Sequence, residues 1–333
     1  METKFKIPYG IGKSGAYEDL PDNRDVPFDL IFSAVSLPVS YDTIDEIGGI
    51  KVENQGSSQS CVAQSFSKYA EVLEKIEKNQ FTDLSAKFIY SRIFVPQGGA
   101  QIRDGAKIVS TFGVTKEEYD PSYPAEETRM RERNNELSVL EDALVHKSSG
   151  YVTIWHKEDV EIIKQAIYQN KGVVSGFIGS NEGWQTEIVR PPKSGESEWG
   201  HAVYLIGWDN QNRIKFLNSW GEGWGNNGKG TIDPSYWQVG GKTFSLWTLA
   251  DLPDDWQQQT KMYKLVRNPD NNLEVFAINN GAKRHIANKQ TLVLGSQEPD
   301  KLWIWQEGQE IPIASAVEFN IPEASEFHLD PID

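Results

Sequence analysis

Residues 52–66, VENQGSSQSCVAQSF, contain the single cysteine of the 333-residue chain. A glycine and small polar residues lead into Cys61, and the apolar residues after it recur at steps of three and four, the period of one buried helix face. These apolar residues are Val62, Phe66, Tyr69, Leu73 and Ile76, and the other face carries Glu71, Glu74, Lys75, Glu77 and Lys78. Cys61 is therefore predicted in the first turn of a long helix. The helix dipole and the unpaired N–H groups there favour a thiolate, which predicts a Cys61 pKa below the ~8.5 of a free thiol.

A lone cysteine is more often a small buried apolar side chain than a nucleophile, and both interpretations stay open on position alone. Gln55 lies in the loop before Cys61, where its amide can donate a hydrogen bond to a developing oxyanion. Further along the chain, His201 opens an apolar run and Asn218 closes the next one. A thiol nucleophile needs a base, and the base needs a third group that orients its ring. The sequence contains one residue for each of these roles.

Two segments resemble those of the papain family of cysteine peptidases. QGSSQSCVAQSF at residues 55–66 is similar to the family's nucleophile segment, and GHAVYLIGW and IKFLNSWGEGWGNNGKGTI at residues 200–208 and 214–232 resemble its histidine strand and asparagine segment. The resemblance implies that Cys61 attacks a peptide carbonyl, His201 carries the proton and Asn218 orients the imidazole. It also implies an oxyanion hole formed by Gln55 and the Cys61 backbone N–H.

The resemblance implies a substrate-binding set of Gly98, Gly99, Ala202 and Trp220. In the family, the glycine pair lets a substrate backbone pair as an extra strand, because glycine has no side chain to block the approach. A simple loop-to-helix turn is the alternative interpretation of this pair. Trp220 is further expected to belong to the core or to shield the bond between His201 and Asn218 from water.

Three positions depart from the family pattern. Val62 follows the nucleophile where the family usually has tryptophan, Ser58 stands where secreted members carry a half-cystine, and Gly200 precedes the histidine. These departures affect the expected shape of the substrate subsites rather than the chemistry. They also leave open a catalytically silent protein that uses the fold for binding.

Composition limits the partners and the location. The net charge of −15 argues against nucleic acid and anionic membrane surfaces as partners, and one cysteine and scattered histidines give no metal-ligand cluster. No run approaches the ~18 apolar residues of a membrane span, and the N-terminus lacks the apolar core of a signal peptide. One cysteine excludes an intrachain disulfide, so the chain resembles a cytosolic, bacterial or viral form of the family. We expect neither cofactors nor membrane insertion. It is predicted to be cytoplasmic as synthesised, with virion association or release as alternatives.

Helical patterns precede strand patterns, which predicts an α+β fold with a helical lobe, an antiparallel β lobe and a cleft between them. The predicted divisions are an extended arm at 1–36, a papain-like domain at 37–252, a polar linker at 253–260 and a small all-β domain at 261–333. Packing against the domain is the preferred role for the arm, and inhibition is the alternative. The charged residues 126–147 are predicted to form one exposed helix.

The last segment alternates like strands at 262–267 and 273–278, and it carries Trp303 and Trp305. This small domain is expected to dock the protein to a larger assembly or surface. The sequence thus favours a cysteine endopeptidase that acts on peptides or proteins. An enzyme that cleaves cell-wall peptides and a silent binding protein stay as alternatives.

Overall fold

The computed structural model describes residues 15–22 and 25–250, together with the backbone of strands within 260–268, 271–279, 282–286 and 310–314. Two compact units are present, one formed by Met1–Leu20 with Ala34–Leu252 and the other by Pro21–Ser33 with Pro253–Asp333. Most of the predicted linker, and both Trp303 and Trp305, lie outside the described residues. The domain boundaries drawn from the sequence stay a prediction.

The elements are numbered in chain order. The helices of the described residues are α1 (Phe28–Ile31), α2 (Thr43–Glu46), α3 (Cys61–Lys78), α4 (Ala86–Ile93), α5 (Ile102–Thr111), α6 (Glu127–Met130), α7 (Leu137–Val145), α8 (Val160–Asn170) and α9 (Ser235–Gln238). The strands of the first unit are β1 (Ala16–Tyr17), β2 (Tyr41–Asp42), β3 (Ala100–Gln101), β4 (Gly150–Ile154), β5 (Val173–Ser180), β6 (Ile188–Val189), β7 (Glu198–Trp208), β8 (Ile214–Leu217), β9 (Lys229–Ile232) and β10 (Thr243–Ala250). None of these helices is long and apolar enough to cross a membrane.

Helix α3 begins at Cys61, as its apolar period predicts, and ends before Asn79, which has a left-handed φ of 51°. On the charged face of α3, Glu71 and Glu74 are both buried. Lys68 is also buried, and its Nζ lies 2.8 Å from Glu53 Oε1 and contacts Glu71. The ion pairs offset the desolvation cost that would otherwise keep these side chains at the surface.

The segment 126–147 forms two short helices, α6 and α7, instead of the single exposed helix predicted from its charge. The Asn134 side chain interrupts the helical path, because its Oδ1 accepts the Glu136 N–H at 3.0 Å in a local turn. Each helix also buries part of one side, through Met130 on α6 and Val139 on α7.

The large sheet of the first unit has the order β4-β10-β5-β7-β8-β9-β6, with β2 added beside β7. Strand β7 pairs antiparallel with β5, where His201 is opposite Phe177, and with β8, where Tyr204 is opposite Leu217. Strands β7 and β8 are joined by the short segment 209–213 and form an antiparallel hairpin. Helices and an antiparallel sheet in one unit confirm the α+β class.

The second unit contains β11 (Thr260–Asn268), β12 (Asn271–Asn279), β13 (Ala282–Ile286) and β14 (Glu310–Ala314). They form an antiparallel sheet in the order β13-β12-β11-β14. The predicted hairpin of β11 and β12 is confirmed by a register that places Lys264 opposite Ile278.

The buried hydroxyl of Tyr69 joins α3 to the sheet. It lies 2.7 Å from the Gly172 carbonyl oxygen, 2.9 Å from Thr248 Oγ1 and 2.5 Å from the Asn170 carbonyl oxygen. Removing this hydroxyl would take the hydroxyl donor from the buried Asn170 carbonyl, whereas the Gly172 carbonyl would still accept the Thr248 hydroxyl at 2.8 Å. A buried polar group left without a partner costs more than the hydrogen bond itself.

We therefore expect Tyr69→Phe to lower the free energy of unfolding by about 1–3 kcal/mol. Urea unfolding followed by circular dichroism should show a lower midpoint at an unchanged slope. Tyr119→Phe removes the same atom from a side chain that is 49% exposed and serves as the control. Equal midpoints for the two variants would contradict the proposed role of the Tyr69 hydroxyl.

Candidate active site

The predicted nucleophile lies where α3 meets β7. Cys61 is the first residue of the helix and its side chain is fully buried. Its Sγ accepts the backbone N–H of Ala202 at 3.4 Å, and Ala202 follows His201 in β7. The helix start and the histidine strand, predicted from motifs 140 residues apart, are therefore brought together.

His201 and Asn218 form the hydrogen bond expected of a base and its orienting residue. His201 Nε2 lies 2.8 Å from Asn218 Oδ1, which also accepts the Ser219 N–H at 2.9 Å. Because the amide oxygen is an acceptor, Nε2 carries the ring proton and Nδ1 of the neutral ring is available as a base. The Asn218 backbone is fixed in turn, since its N–H donates to the Gly228 carbonyl at 2.9 Å.

Aromatic rings surround the His201 imidazole. The Trp220 ring lies 4.7 Å from it at an interplanar angle of 30°, and the Trp184 ring meets it edge-on at 5.4 Å and 85°. Trp220 was singled out from the sequence, whereas Trp184 was missed because it lies in an irregular segment after β5 without a recognisable motif. One feature of the sequence indicated that Trp184 lies near His201: it is a tryptophan between a buried strand and the histidine strand. Together the two rings exclude water from the imidazole.

Gln55 connects the nucleophile loop to the asparagine segment. Its Oε1 accepts the Ser219 hydroxyl at 2.7 Å, and its backbone N–H donates to the Ser219 carbonyl at 2.8 Å. Its Nε2 donates to the Ser58 carbonyl at 3.0 Å, and the Ser58 hydroxyl donates back to the Gln55 carbonyl at 2.7 Å. Ser58, which replaces the half-cystine of secreted relatives, thus stabilises the loop through local hydrogen bonds.

The described part of the N-terminal arm covers the nucleophile. Gly15 donates its N–H to the Gly200 carbonyl at 2.9 Å, and its own carbonyl accepts the Ala100 N–H at 3.1 Å. Strand β1 then continues parallel to β3. A Cβ atom added to Gly15 would lie only 2.8 Å from Cys61 Sγ. The arm packs against the domain, as preferred from the sequence, but it does so directly over Cys61.

Asp19 fixes the far end of this covering segment. Its carboxylate accepts the Trp247 Nε1–H at 2.7 Å and the Arg103 backbone N–H at 3.0 Å. Its own N–H donates to Ser245 Oγ at 2.8 Å. The segment is therefore held at both ends by specific hydrogen bonds.

Burial reverses the predicted ionisation of the site. It raises the pKa of the Cys61 thiol to about 12, against the weaker opposing effect of the Ala202 N–H. It also lowers the pKa of His201 to about 4, although the bond to Asn218 favours the charged ring. The expected depression of the Cys61 pKa is wrong for this covered arrangement, because both charged forms are desolvated. Near neutral pH the thiol and the imidazole are both uncharged.

One acidic cluster lies apart from Cys61 and His201. Carboxylate oxygens of Glu53, Glu71 and Asp83 lie within 4.8 Å of one another. Lys68 forms ion pairs with Glu53 and Glu71, so its ammonium neutralises the charge that would attract a cation. We therefore assign this cluster to the packing of α3.

Comparison with known proteins agrees with this geometry. The profile described as papain family cysteine protease matches residues 37–236. The chain belongs to this family. It is therefore a member of a family of cysteine proteases, hydrolases whose substrates are peptides or proteins.

Two relatives and one solved structure are similar to this papain-family protease. It is 30% identical over 249 residues to an uncharacterized peptidase C1-like protein of Acanthamoeba polyphaga mimivirus, covering 66% of this chain and 73% of the relative. It is 27% identical over 230 residues to a cysteine protease of Blomia tropicalis, covering 65% and 67%. Xylellain, a cysteine protease from Xylella fastidiosa, has a similar fold with a TM-score of 0.62 at 22% identity, covering 75% of this chain and 99% of xylellain.

The raised Cys61 pKa gives a prediction for the native papain-family protease. Iodoacetamide reacts with the thiolate, so at pH 7 the native full-length chain should be alkylated at least about a hundredfold more slowly than the same chain unfolded in urea. The native rate should keep rising through pH 10, since the pKa is raised to about 12. Mass spectrometry after timed quenching measures both rates, and an inflection below pH 8 would show a charged pair in the native chain.

Proposed function

We propose that this chain is a cysteine endopeptidase that cleaves peptide bonds through an acyl-enzyme on Cys61. The observation that supports it is the 2.8 Å bond between His201 Nε2 and Asn218 Oδ1 beside a cysteine at a helix start. This bond leaves Nδ1 unprotonated, which is the form that a base requires.

In the proposed reaction, Cys61 Sγ attacks the carbonyl carbon and its proton passes to His201 Nδ1. The developing oxyanion accepts the Cys61 backbone N–H and the N–H of Gln55 Nε2 that is not used by Ser58. The C–N bond then breaks and His201 gives the proton to the leaving amine. Water, deprotonated by the same ring, releases the acid product and restores the thiol. Asn218 keeps the ring in one orientation throughout.

The proposal includes a closed form that has to open. Gly15 uses the Gly200 carbonyl and the Ala100 N–H, two backbone groups beside Cys61 that an extended substrate would need for pairing. We propose that the segment Gly15–Tyr17 leaves this position before a substrate binds. In the open form water and the imidazolium would again favour the thiolate.

A silent binding protein is the second candidate, and the complete burial of Cys61 favours it. A peptidase of cell-wall peptides differs from the first proposal only in its substrate. Docking of the C-terminal β domain to an assembly or surface, and a cytoplasmic location, stay predictions from the sequence.

The proposed activity is tested by incubating the full-length chain and its arm-displaced variant, described below, with casein and with purified cell walls. We expect casein cleavage that is absent in Cys61→Ala and reduced by roughly 10³-fold or more in His201→Ala. Cleavage of cell walls alone would identify the cell-wall enzyme. Absence of turnover on both substrates, in the variant as well, would favour the silent protein.

Gly15→Val provides the arm-displaced variant. Its side chain would meet Cys61 Sγ and the Gln59 carbonyl, so the arm should lose its position at a cost of about 1–3 kcal/mol. We expect iodoacetamide labelling of Cys61 to become roughly ten- to a hundredfold faster. Gly240→Val is the matched control, because a Cβ there meets nothing within 4 Å. Equal labelling rates in the two variants would refute the covering role of Gly15.

A further inference from the structure

We propose that Glu127 is a positioning residue that clamps the Gly98–Gly99 loop to the nucleophile loop. The proposal rests on the peptidase function above, because both loops border Cys61. The clamp consists of Glu127 with Gln59, Tyr90, Gly99 and Arg131. Its carboxylate lies outside the set formed by Cys61, His201, Asn218 and Gln55. It reaches the loops through hydrogen bonds, and its charge also contributes to the raised pKa of the Cys61 thiol.

One carboxylate oxygen holds the nucleophile loop. Glu127 Oε2 accepts the backbone N–H of Gln59 at 2.7 Å. Gln59 precedes Cys61 by two residues, so this bond fixes the chain just before the start of α3. A hydrogen bond to a charged acceptor is stronger than one between neutral groups.

The other oxygen holds the glycine loop. Glu127 Oε1 accepts the hydroxyl of Tyr90, on α4, at 2.7 Å. The same hydroxyl accepts the backbone N–H of Gly99 at 2.9 Å. Tyr90 is fully buried, and its burial and the Glu127 carboxylate both raise its pKa, so it stays protonated and keeps its donor. Gly99 is thus linked to the carboxylate through one fixed phenol.

Arg131 fixes the carboxylate itself. Its Nε donates to Glu127 Oε1 at 2.7 Å, and its Nη1 donates to the Pro96 carbonyl at 3.2 Å, just before the glycine pair. The two side chains are about a quarter exposed, which leaves the pair partly screened by water. The positioning effect therefore depends on the buried Tyr90 and the Gln59 N–H more than on the ion pair.

The two loops also touch directly at Gly98. A Cβ atom there would lie 2.2 Å from Gln59 Nε2 and 3.1 Å from Arg131 Nη2, and the φ angle of +95° is itself unfavourable for other residues. Gly98 is therefore required by contact with the nucleophile loop. The glycine pair thus packs closely against the nucleophile loop, and the clamp keeps it in this position.

The clamp sets the distance between Cys61 and the segment Gly98–Ala100, which forms hydrogen bonds with extended backbone. This segment is the wall of the site. Ala100, next to the pair, already holds the Gly15 carbonyl through its N–H at 3.1 Å. A substrate bound to this wall reacts only if its carbonyl lies within reach of Cys61, and small displacements are costly in rate. Loss of the clamp should therefore weaken the use of extended peptides while the Cys61–His201–Asn218 set stays intact.

Hydrogen exchange in the full-length chain tests the clamp without any requirement for activity. Glu127→Gln keeps the shape but replaces one acceptor oxygen by a donor, and Glu126→Gln makes the same charge change at an exposed neighbour. We expect faster exchange in both 57–60 and 97–101 for Glu127→Gln, and in 97–101 alone for Tyr90→Phe. Exchange in Glu127→Gln that equals the control, or rises only within 125–131, overturns the proposal.

Kinetics in the Gly15→Val chain tests the consequence for the reaction. Glu127→Gln should lower kcat/KM on an extended peptide about tenfold, the size of one charge-assisted hydrogen bond, mainly through KM. Tyr90→Phe should do the same, with little further loss in the double variant. Iodoacetamide labelling does not depend on the glycine loop. It should not fall in Glu127→Gln, because the substitution removes a charge that raises the pKa of the Cys61 thiol. Unchanged kcat/KM, or an equal fall in labelling, overturns the positioning role.

These two tests separate the clamp from the peptidase proposal. If the Gly15→Val chain cleaves no peptide, the proposed function fails, and the exchange pattern alone still decides whether Glu127 joins the loops. Melting by circular dichroism identifies a variant that does not fold. If Glu127→Gln does not fold, Tyr90→Phe, which removes one oxygen atom, is compared with the parent chain in its place.

Discussion

The packing of α3 against β7 brings the proposed nucleophile Cys61 to the strand that carries the proposed base His201. Tyr69 stacks on Tyr204 with ring centroids 4.8 Å apart, and the Ser65 hydroxyl donates to the Ala202 carbonyl at 3.3 Å. These contacts fix the rotation and the height of the helix on the strand. In this position Cys61 Sγ accepts the N–H of Ala202. Because β7 also carries His201 and pairs with β8, the same contact brings Cys61 to the strand pair that carries His201 and leads into Asn218.

Charged residues on a helix this deeply buried need partners of opposite charge, and Lys68 provides one for two glutamates. Lys68 joins Glu71 of the helix to Glu53 of the nucleophile loop. The Glu53 carbonyl in turn accepts the Gly221 N–H at 2.8 Å, just after Trp220. Removing one partner would leave an uncompensated buried charge, which costs about 3–5 kcal/mol. The charged network thus stabilises α3 and also the nucleophile loop, which packs between α3 and the asparagine segment.

The sequence predicted the features that depend on local pattern or on motif order. The apolar period predicted α3, and the order of Cys61, His201 and Asn218 indicated the site. Features that depend on contacts between distant segments were not predictable. Glycine at position 15 permits contact with Cys61 but does not reveal it, and Glu127 has no motif. Charge alone also suggested exposure where ion pairs allow burial, as at Glu71.

The covered site shows which of two opposing effects controls the thiol. The start of α3 favours the Cys61 thiolate by about 0.3–1 kcal/mol, the usual size of a helix-dipole effect. Burial raises the pKa from 9.0 to about 12, which corresponds to roughly 4 kcal/mol against the thiolate. Burial therefore dominates while Gly15 lies over the sulfur. In the proposed open form, water would remove most of that penalty, and the helix start and the imidazolium would act in the same direction. We propose that the position of the arm controls both the protonation of Cys61 and access to it.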